Sequence, residues 1–256
     1  MSPRTTATPL SDQVSSARED RTAVVVFAVA TAREYTAAFG ALGAPAAPAP
    51  GQAVVWRRGG RDQLLVVTGV GPVAAALTMG RVLQEAAGAV RGVVALGVTG
   101  GFDLDDTPLC SLIGATQEAL PEYGLRTGAG TDSAAIGFPQ LCANGQDVFD
   151  RLSLDPGAAA EVMGLRLPSQ VRLGPCVTVA GVSGDDARAA ILARKYQAVA
   201  ESMEGFAVAL AAQAAGLPCL ELRCVSNRVG CRPPDNWDLP GALAGLGQAV
   251  ANLFSE

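Results

Sequence analysis

The chain has 256 residues, 49% hydrophobic and 17% charged, with a net charge of -5 and scattered arginines, which excludes the basic footprint of a nucleic-acid binder. It contains no histidine, and its six cysteines form no Cys-x-x-Cys pair, which argues against a zinc site and excludes Ser-His-Asp triads and histidine bases. No apolar run reaches the ~20 residues of a membrane helix, and Met1 to Asp20 lacks the apolar core of a signal peptide, so the expectation is a cytoplasmic protein that touches neither membrane nor nucleic acid.

In chain order, residues 1–20 are polar and read as a disordered tail, with one domain over 21–256. Short β-branched runs bounded by glycine then alternate with Ala-rich stretches of helical length. Strands are expected near 23–28, 54–57, 63–68, 92–98, 111–118, 176–180 and 218–225. Helices are expected over 32–42, 72–87, 144–152, 185–196, 204–215 and 240–254. Pro72 and Pro240 suit a first helical turn, Asp185 suits a cap, and Gly216 suits a helix stop. The pattern predicts a single-domain α/β fold with a mixed, mostly parallel central β-sheet flanked by helices. So apolar a composition with a thin polar surface also predicts a homo-oligomer, dimer or tetramer.

Ligands of such folds gather at strand ends, which directs attention to five segments. The first, Ala28 to Glu34, runs from a buried strand into a helix whose first turn carries Glu34, either a cap favoured by the helix dipole or a working carboxylate. Thr68-Gly69-Val70-Gly71-Pro72 and Leu96-Gly97-Val98-Thr99-Gly100-Gly101 are glycine turns that allow close backbone approach. Glu201-Ser202-Met203-Glu204-Gly205-Phe206 sets a carboxylate at the start of an apolar helix, and Arg223-Cys224-Val225-Ser226-Asn227-Arg228 crowds polar groups at a strand end.

Taken together and in this order, the five segments resemble the purine nucleoside phosphorylase/hydrolase superfamily, with Met203-Glu204-Gly205 and Val225-Ser226-Asn227 as the most specific part. Within it, Asn227-Arg228-Val229-Gly230 followed by Asn236-Trp237-Asp238-Leu239-Pro240 is similar to the futalosine hydrolases, which release hypoxanthine from a modified nucleoside in an alternative menaquinone pathway. The resemblance implies a cofactor-free enzyme with a small-molecule nucleoside substrate and no metal. It implies that Glu204 grips the ribose hydroxyls beside a developing oxocarbenium ion, with Met203 packed on the sugar. Glu34 would deprotonate the attacking water, while Thr99 and Gly100 would lie beside sugar and base.

Asn227 stands where adenine-specific relatives carry an aspartate that protonates N7. An amide cannot deliver a proton, but its two N–H groups can donate to N7 and O6 of a 6-oxopurine. The stacking aromatic of those relatives is missing after Ser183-Gly184-Asp185, which leaves Phe206, Phe138 and Trp237 as candidates. Arg228 and Arg232 are candidates for a distal substrate carboxylate, and the Gly-rich stretch 123–139 for a lid. A phosphorylase, an adenine-type nucleosidase and a non-catalytic nucleoside-binding module are the alternatives. Arg57, Arg58 and Arg91 keep phosphorolysis open.

Overall fold

The computed structural model describes residues 23–128, 130–143, 145–230 and 237–255; the expected tail over 1–20 and Arg232 lie outside them. The strands are β1 (Val24–Val29), β2 (Gln52–Arg58), β3 (Arg61–Val67), β4 (Val90–Gly101), β5 (Leu112–Ala119), β6 (Leu125–Thr127), β7 (Gly130–Asp132), β8 (Leu141–Ala143), β9 (Gln146–Val148), β10 (Arg151–Ser153), β11 (Arg172–Thr178), β12 (Ala200–Ser202) and β13 (Cys219–Arg228). The helices are α1 (Ala32–Phe39), α2 (Pro72–Glu85), α3 (Pro156–Met163), α4 (Asp186–Tyr196), α5 (Gly205–Ala214) and α6 (Leu239–Leu253). None of them is long and apolar enough to cross a membrane.

One nine-stranded sheet runs in the order β10-β5-β11-β12-β4-β1-β3-β2, and β13 pairs with both β4 and β5. That second pairing closes β4, β12, β11, β5 and β13 into a ring within the expected mixed sheet. β1–β3, β1–β4, β4–β13, β5–β11 and β11–β12 run parallel, while β2–β3, β4–β12, β5–β13 and β5–β10 run antiparallel.

Every residue of β1 is buried, so this apolar run needs cover on both faces. Val25, Phe27 and Val29 pack with α1, α3 and α6 through Tyr35, Phe39, Met163 and Leu246. Val24, Val26 and Ala28 face α2 and α5 through Met79, Val82, Phe206 and Val208. Helix starts follow the local chemistry: Pro72 opens α2, Asp185 accepts from the Arg188 N–H, and Asp238 accepts from the Gly241 N–H.

The helix expected over 144–152 is instead β9 and β10. Val148 and Leu152 have helical spacing, but Val148, Asp150 and Leu152 are buried alternately, and Leu152 pairs with Glu118 of β5. Helix α3, which had not been expected, begins on the Asp155 cap. The stretch 123–139 folds as the β6–β7 hairpin and a short turn, fastened by the Ser133 hydroxyl donating to Asp150 at 2.7 Å.

α1, which carries Glu34, is fixed against α6 at Gly247, where an added Cβ would stand 2.6 Å from the Ala37 carbonyl oxygen. Alanine normally gains about 1 kcal/mol over glycine inside a helix. Forcing a methyl against fixed backbone costs typically ~1–3 kcal/mol, so the clash should win. Gly247→Ala is therefore expected to lower the melting temperature by roughly 2–6 °C; a rise would show that α1 is free to shift.

Candidate active site

The loops after β1, β3 and β11, the ends of β4, β12 and β13, and the start of α6 surround a cavity of about 390 Å³. It opens at the carboxyl ends of parallel strands, where loops are released from packing. Glu34, Thr99, Gly100, Met203, Glu204 and Asn227 all line it.

Glu34 proves to be both a cap and a cavity residue. Its Oε2 accepts from the Thr31 N–H at 3.0 Å and the Thr31 hydroxyl at 2.8 Å, completing a capping box. Its Oε1 accepts from the Val98 N–H at 3.1 Å. A carboxylate oxygen accepts about two bonds, so Oε1 keeps one acceptor site for a water.

Glu204 precedes α5 without capping it by its side chain. Its Oε1 accepts from the Gly71 N–H at 2.9 Å, and its Oε2 lies 3.5 Å from Nη1 of Arg223. Burial raises the Glu204 pKa above the ordinary glutamate value; the Arg223 charge and the Gly71 N–H oppose this, and Glu34 and Glu221 add to it. The glycine turn 69–71 therefore does bring an N–H inward, but it grips the protein's own carboxylate.

Arg223 has no role in the sequence reading, although its segment was singled out. Its side chain is 2% exposed, its Nε donates to Glu221 at 2.8 Å, and neighbouring carboxylates push its pKa up against the opposing effect of burial. The signal was Glu221 and Arg223 two apart in the otherwise apolar run from Cys219 to Val225, which puts both on one face. Gly97 makes room there: an added Cβ would stand 2.5 Å from Arg223 Nη1 and 2.7 Å from Glu34 Oε1.

The Asn227 amide is oriented from both sides. Ser226 Oγ donates to its Oδ1 at 2.9 Å, and its Nδ2 donates to the Arg228 carbonyl at 2.9 Å. One N–H remains for a ligand, not the two expected from the sequence. Gly100 lies beneath it, since an added Cβ would stand 3.1 Å from Nδ2 and 2.7 Å from Val229. Thr99 donates its hydroxyl to the Glu201 carbonyl at 2.7 Å. Glu201, another cavity residue that sequence reasoning left without a role, accepts from the Ser183 N–H and hydroxyl at 2.8 and 2.6 Å.

Phe206 does not reach the cavity wall; its ring is 1% exposed within the core shared with α2 and β1, because it faces inward from the first turn of α5. Phe138 is exposed on the outer stretch, whereas Trp237 lines the cavity and bridges to Asn227 through the backbone. Arg228 is off the wall as well, its Nη1 held by Asp186 at 2.8 Å. Among the described residues, the arginine that does line the cavity is Arg33. Arg58 and Arg91 line a separate cavity at the amino ends of β1, β3 and β4, and Arg57 lies on outer strand β2 near Asp62. The stretch 123–139 contributes no wall residue among the described residues.

Comparison with known proteins gives this geometry a family. Residues 25–254 match the Phosphorylase superfamily. The futalosine hydrolase of Streptomyces coelicolor is 39% identical over 195 residues, 74% of this chain and 77% of that protein. That of Thermus thermophilus is 34% identical over 190 residues, 74% of this chain and 80% of that protein. In fold, the chain is similar to a futalosine hydrolase mutant of Helicobacter pylori, with TM-score 0.70, 18% identity and coverage of 91% and 98%. A Helicobacter pylori MTAN mutant with 5'-methylthioadenosine in the active site gives TM-score 0.69 at 20% identity, covering 91% and 96%. The chain belongs to the phosphorylase superfamily and, within it, to the futalosine hydrolase family.

Proposed function

We propose that this protein is a nucleosidase that hydrolyses the N-glycosidic bond of futalosine, giving hypoxanthine and dehypoxanthinyl futalosine for menaquinone biosynthesis. The observation that carries the reading is one cavity holding Glu34, Glu204 and Asn227 in a chain of the futalosine hydrolase family. Glu204 accepts from the ribose hydroxyls and, with Glu34 and Glu201, sets negative charge around the oxocarbenium ion as it forms. Glu34 takes the proton of the attacking water through its open Oε1 site. The free N–H of Asn227 donates to the departing 6-oxopurine, and Trp237 offers it an aromatic face.

Water is favoured over phosphate as nucleophile because three carboxylates line the cavity and the Gly71 N–H is already engaged by Glu204. The reading carries with it a cytoplasmic homo-oligomer. Val70, Val73 and Leu77 along the start of α2 are 58%, 81% and 74% exposed, an apolar strip that touches the cavity mouth at Val70 and suits a second copy.

Hypoxanthine release from futalosine in phosphate-free buffer tests the assignment; release that needs phosphate would make the protein a phosphorylase, and no release would leave a binding module. Glu34→Gln is expected to lower kcat by roughly 10²- to 10⁴-fold with KM changed only a few-fold. Glu204 must be ionised to accept the ribose hydroxyls, and its pKa is raised, so activity should fall on acidification through a limb lying above the ordinary glutamate value. A kcat/KM profile whose acid limb stands at or below that value would remove Glu204 from the role. Light scattering is expected to show a dimer or tetramer that Leu77→Glu converts to monomer; an unchanged mass would place the interface elsewhere.

A further inference from the structure

Beneath the cavity, and outside its wall, lie two carboxylates that the reaction does not use. Glu118 of β5 and Glu221 of β13 are both 0% exposed. Glu118 Oε2 accepts from the Thr178 hydroxyl at 2.6 Å, and that hydroxyl in turn accepts from the Phe206 N–H at 2.7 Å. Glu221 Oε1 accepts from Arg223 Nε at 2.8 Å. Each carboxylate then has one buried oxygen without a hydrogen-bond partner, Glu118 Oε1 and Glu221 Oε2. The two heads converge on one point: a Cβ on Gly205 would stand 2.5 Å from Glu118 Oε1 and 2.4 Å from Glu221 Oε1. Gly205 immediately follows Glu204, so the pair lies directly under the ribose-binding carboxylate.

Two ionised carboxylates cannot share so dry a site, and the cation beside them is already divided between Glu221 and Glu204. We propose that Glu118 and Glu221 hold one proton between them, Glu118 as the acid and Glu221 as the anion, and that the pair positions Arg223 against Glu204. A proton on Glu118 Oε1 turns one orphan acceptor into a donor facing Glu221. It also leaves Glu221 with the full negative charge that keeps the guanidinium from collapsing entirely onto Glu204.

The surroundings agree with this distribution. Burial first, then the Glu221 charge, push the Glu118 carboxyl well above the ordinary range, while Thr178 and Arg223 oppose them. The other titratable groups facing the pair are Cys176 of β11 and Cys219 of β13, thiols that burial raises and so keeps neutral, together with Arg223 and Glu204. None of these supplies a second cation. The pair is therefore a positioning device, acting on substrate only through Arg223 and Glu204.

The protonation part of the test does not depend on the substrate. Because the folded-state pKa of Glu118 is raised, folding takes up a proton above the ordinary glutamate value, and wild-type stability declines as pH rises toward the raised value. Glu118→Gln carries no such proton, so its melting temperature relative to wild type should climb steadily from about pH 5 to about pH 8. The carboxylic-acid C=O infrared band of the wild type at neutral pH should also vanish in this variant. A melting difference that stays flat with pH, or a band that persists, overturns the shared proton.

The positioning part rests on the nucleosidase reading. Glu221→Gln removes the charge that helps to raise Glu204, so the acid limb of kcat/KM should move to lower pH, with the plateau reduced roughly 10-fold. A merely structural residue would lower stability and leave the limb in place, and that result would overturn the positioning role. Should Glu221→Gln fail to fold, Glu221→Asp serves instead: the charge is kept, so the limb should stay while kcat falls, and a displaced limb counts against the role. Failure of the functional reading would appear separately, as no turnover by wild type.

Discussion

The site depends on one buried cation. Arg223 is almost wholly removed from water, and an isolated charge in such a place would cost several kcal/mol after relaxation. It is stable there because carboxylates surround it: Glu221 at 2.8 Å, Glu204 at 3.5 Å, and Glu34, which converges with it on the space left open by Gly97. Its partners are equally dependent on it, since two of the carboxylates, Glu34 and Glu204, line the cavity. Removing the guanidinium would leave several negative groups facing one another in a dry cavity, so the cluster stands or falls as a unit.

That cluster explains why glycine recurs at the strand ends. Gly97 gives clearance to Arg223 and Glu34, and Gly205 to Glu118 and Glu221. In the sequence Gly97 suggests a backbone drawn close to a ligand; in the fold both glycines make room for the protein's own charges. Gly71 belongs to the same logic, for its φ of 92° aims its N–H at Glu204 and is comfortable only for glycine. The electrostatic arrangement thus forms during folding, before any substrate arrives.

Residues at strand ends with distinctive chemistry were legible in the sequence, because a carboxylate or amide following an apolar run has few structural duties. Glu34, Glu204 and Asn227 fall in this class and line one cavity. Residues whose role arises from a neighbouring strand were not. Glu118 reads as an ordinary polar position until β11 and β13 flank β5, and Arg223 acquires its meaning only when Glu204 arrives from another element. Phe206 illustrates the opposite error: it was a candidate for the missing stacking aromatic, but the first turn of α5 rotates the ring into the core between sheet and helix. The helix expected over 144–152 went astray because Val148 and Leu152 satisfy both helical and alternating spacing, and the edge of β5 decides between them.

The glycine turn at 69–71 and the charges around it bear on which nucleophile the cavity can admit. In this chain the Gly71 N–H faces a carboxylate, Arg57, Arg58 and Arg91 lie on β2 or at the opposite end of the sheet, and Arg223 is enclosed by carboxylates. Among the described residues, a phosphate dianion entering the cavity would meet Glu34, Glu201 and Glu204 before it met a cation able to turn toward it, apart from Arg33 on the exposed rim. A neutral water suffers no such repulsion, and on the proposed reading the same carboxylates would stabilise the cation that water attacks. On that reading, choice of nucleophile and stabilisation of the transition state are two consequences of a single charge arrangement.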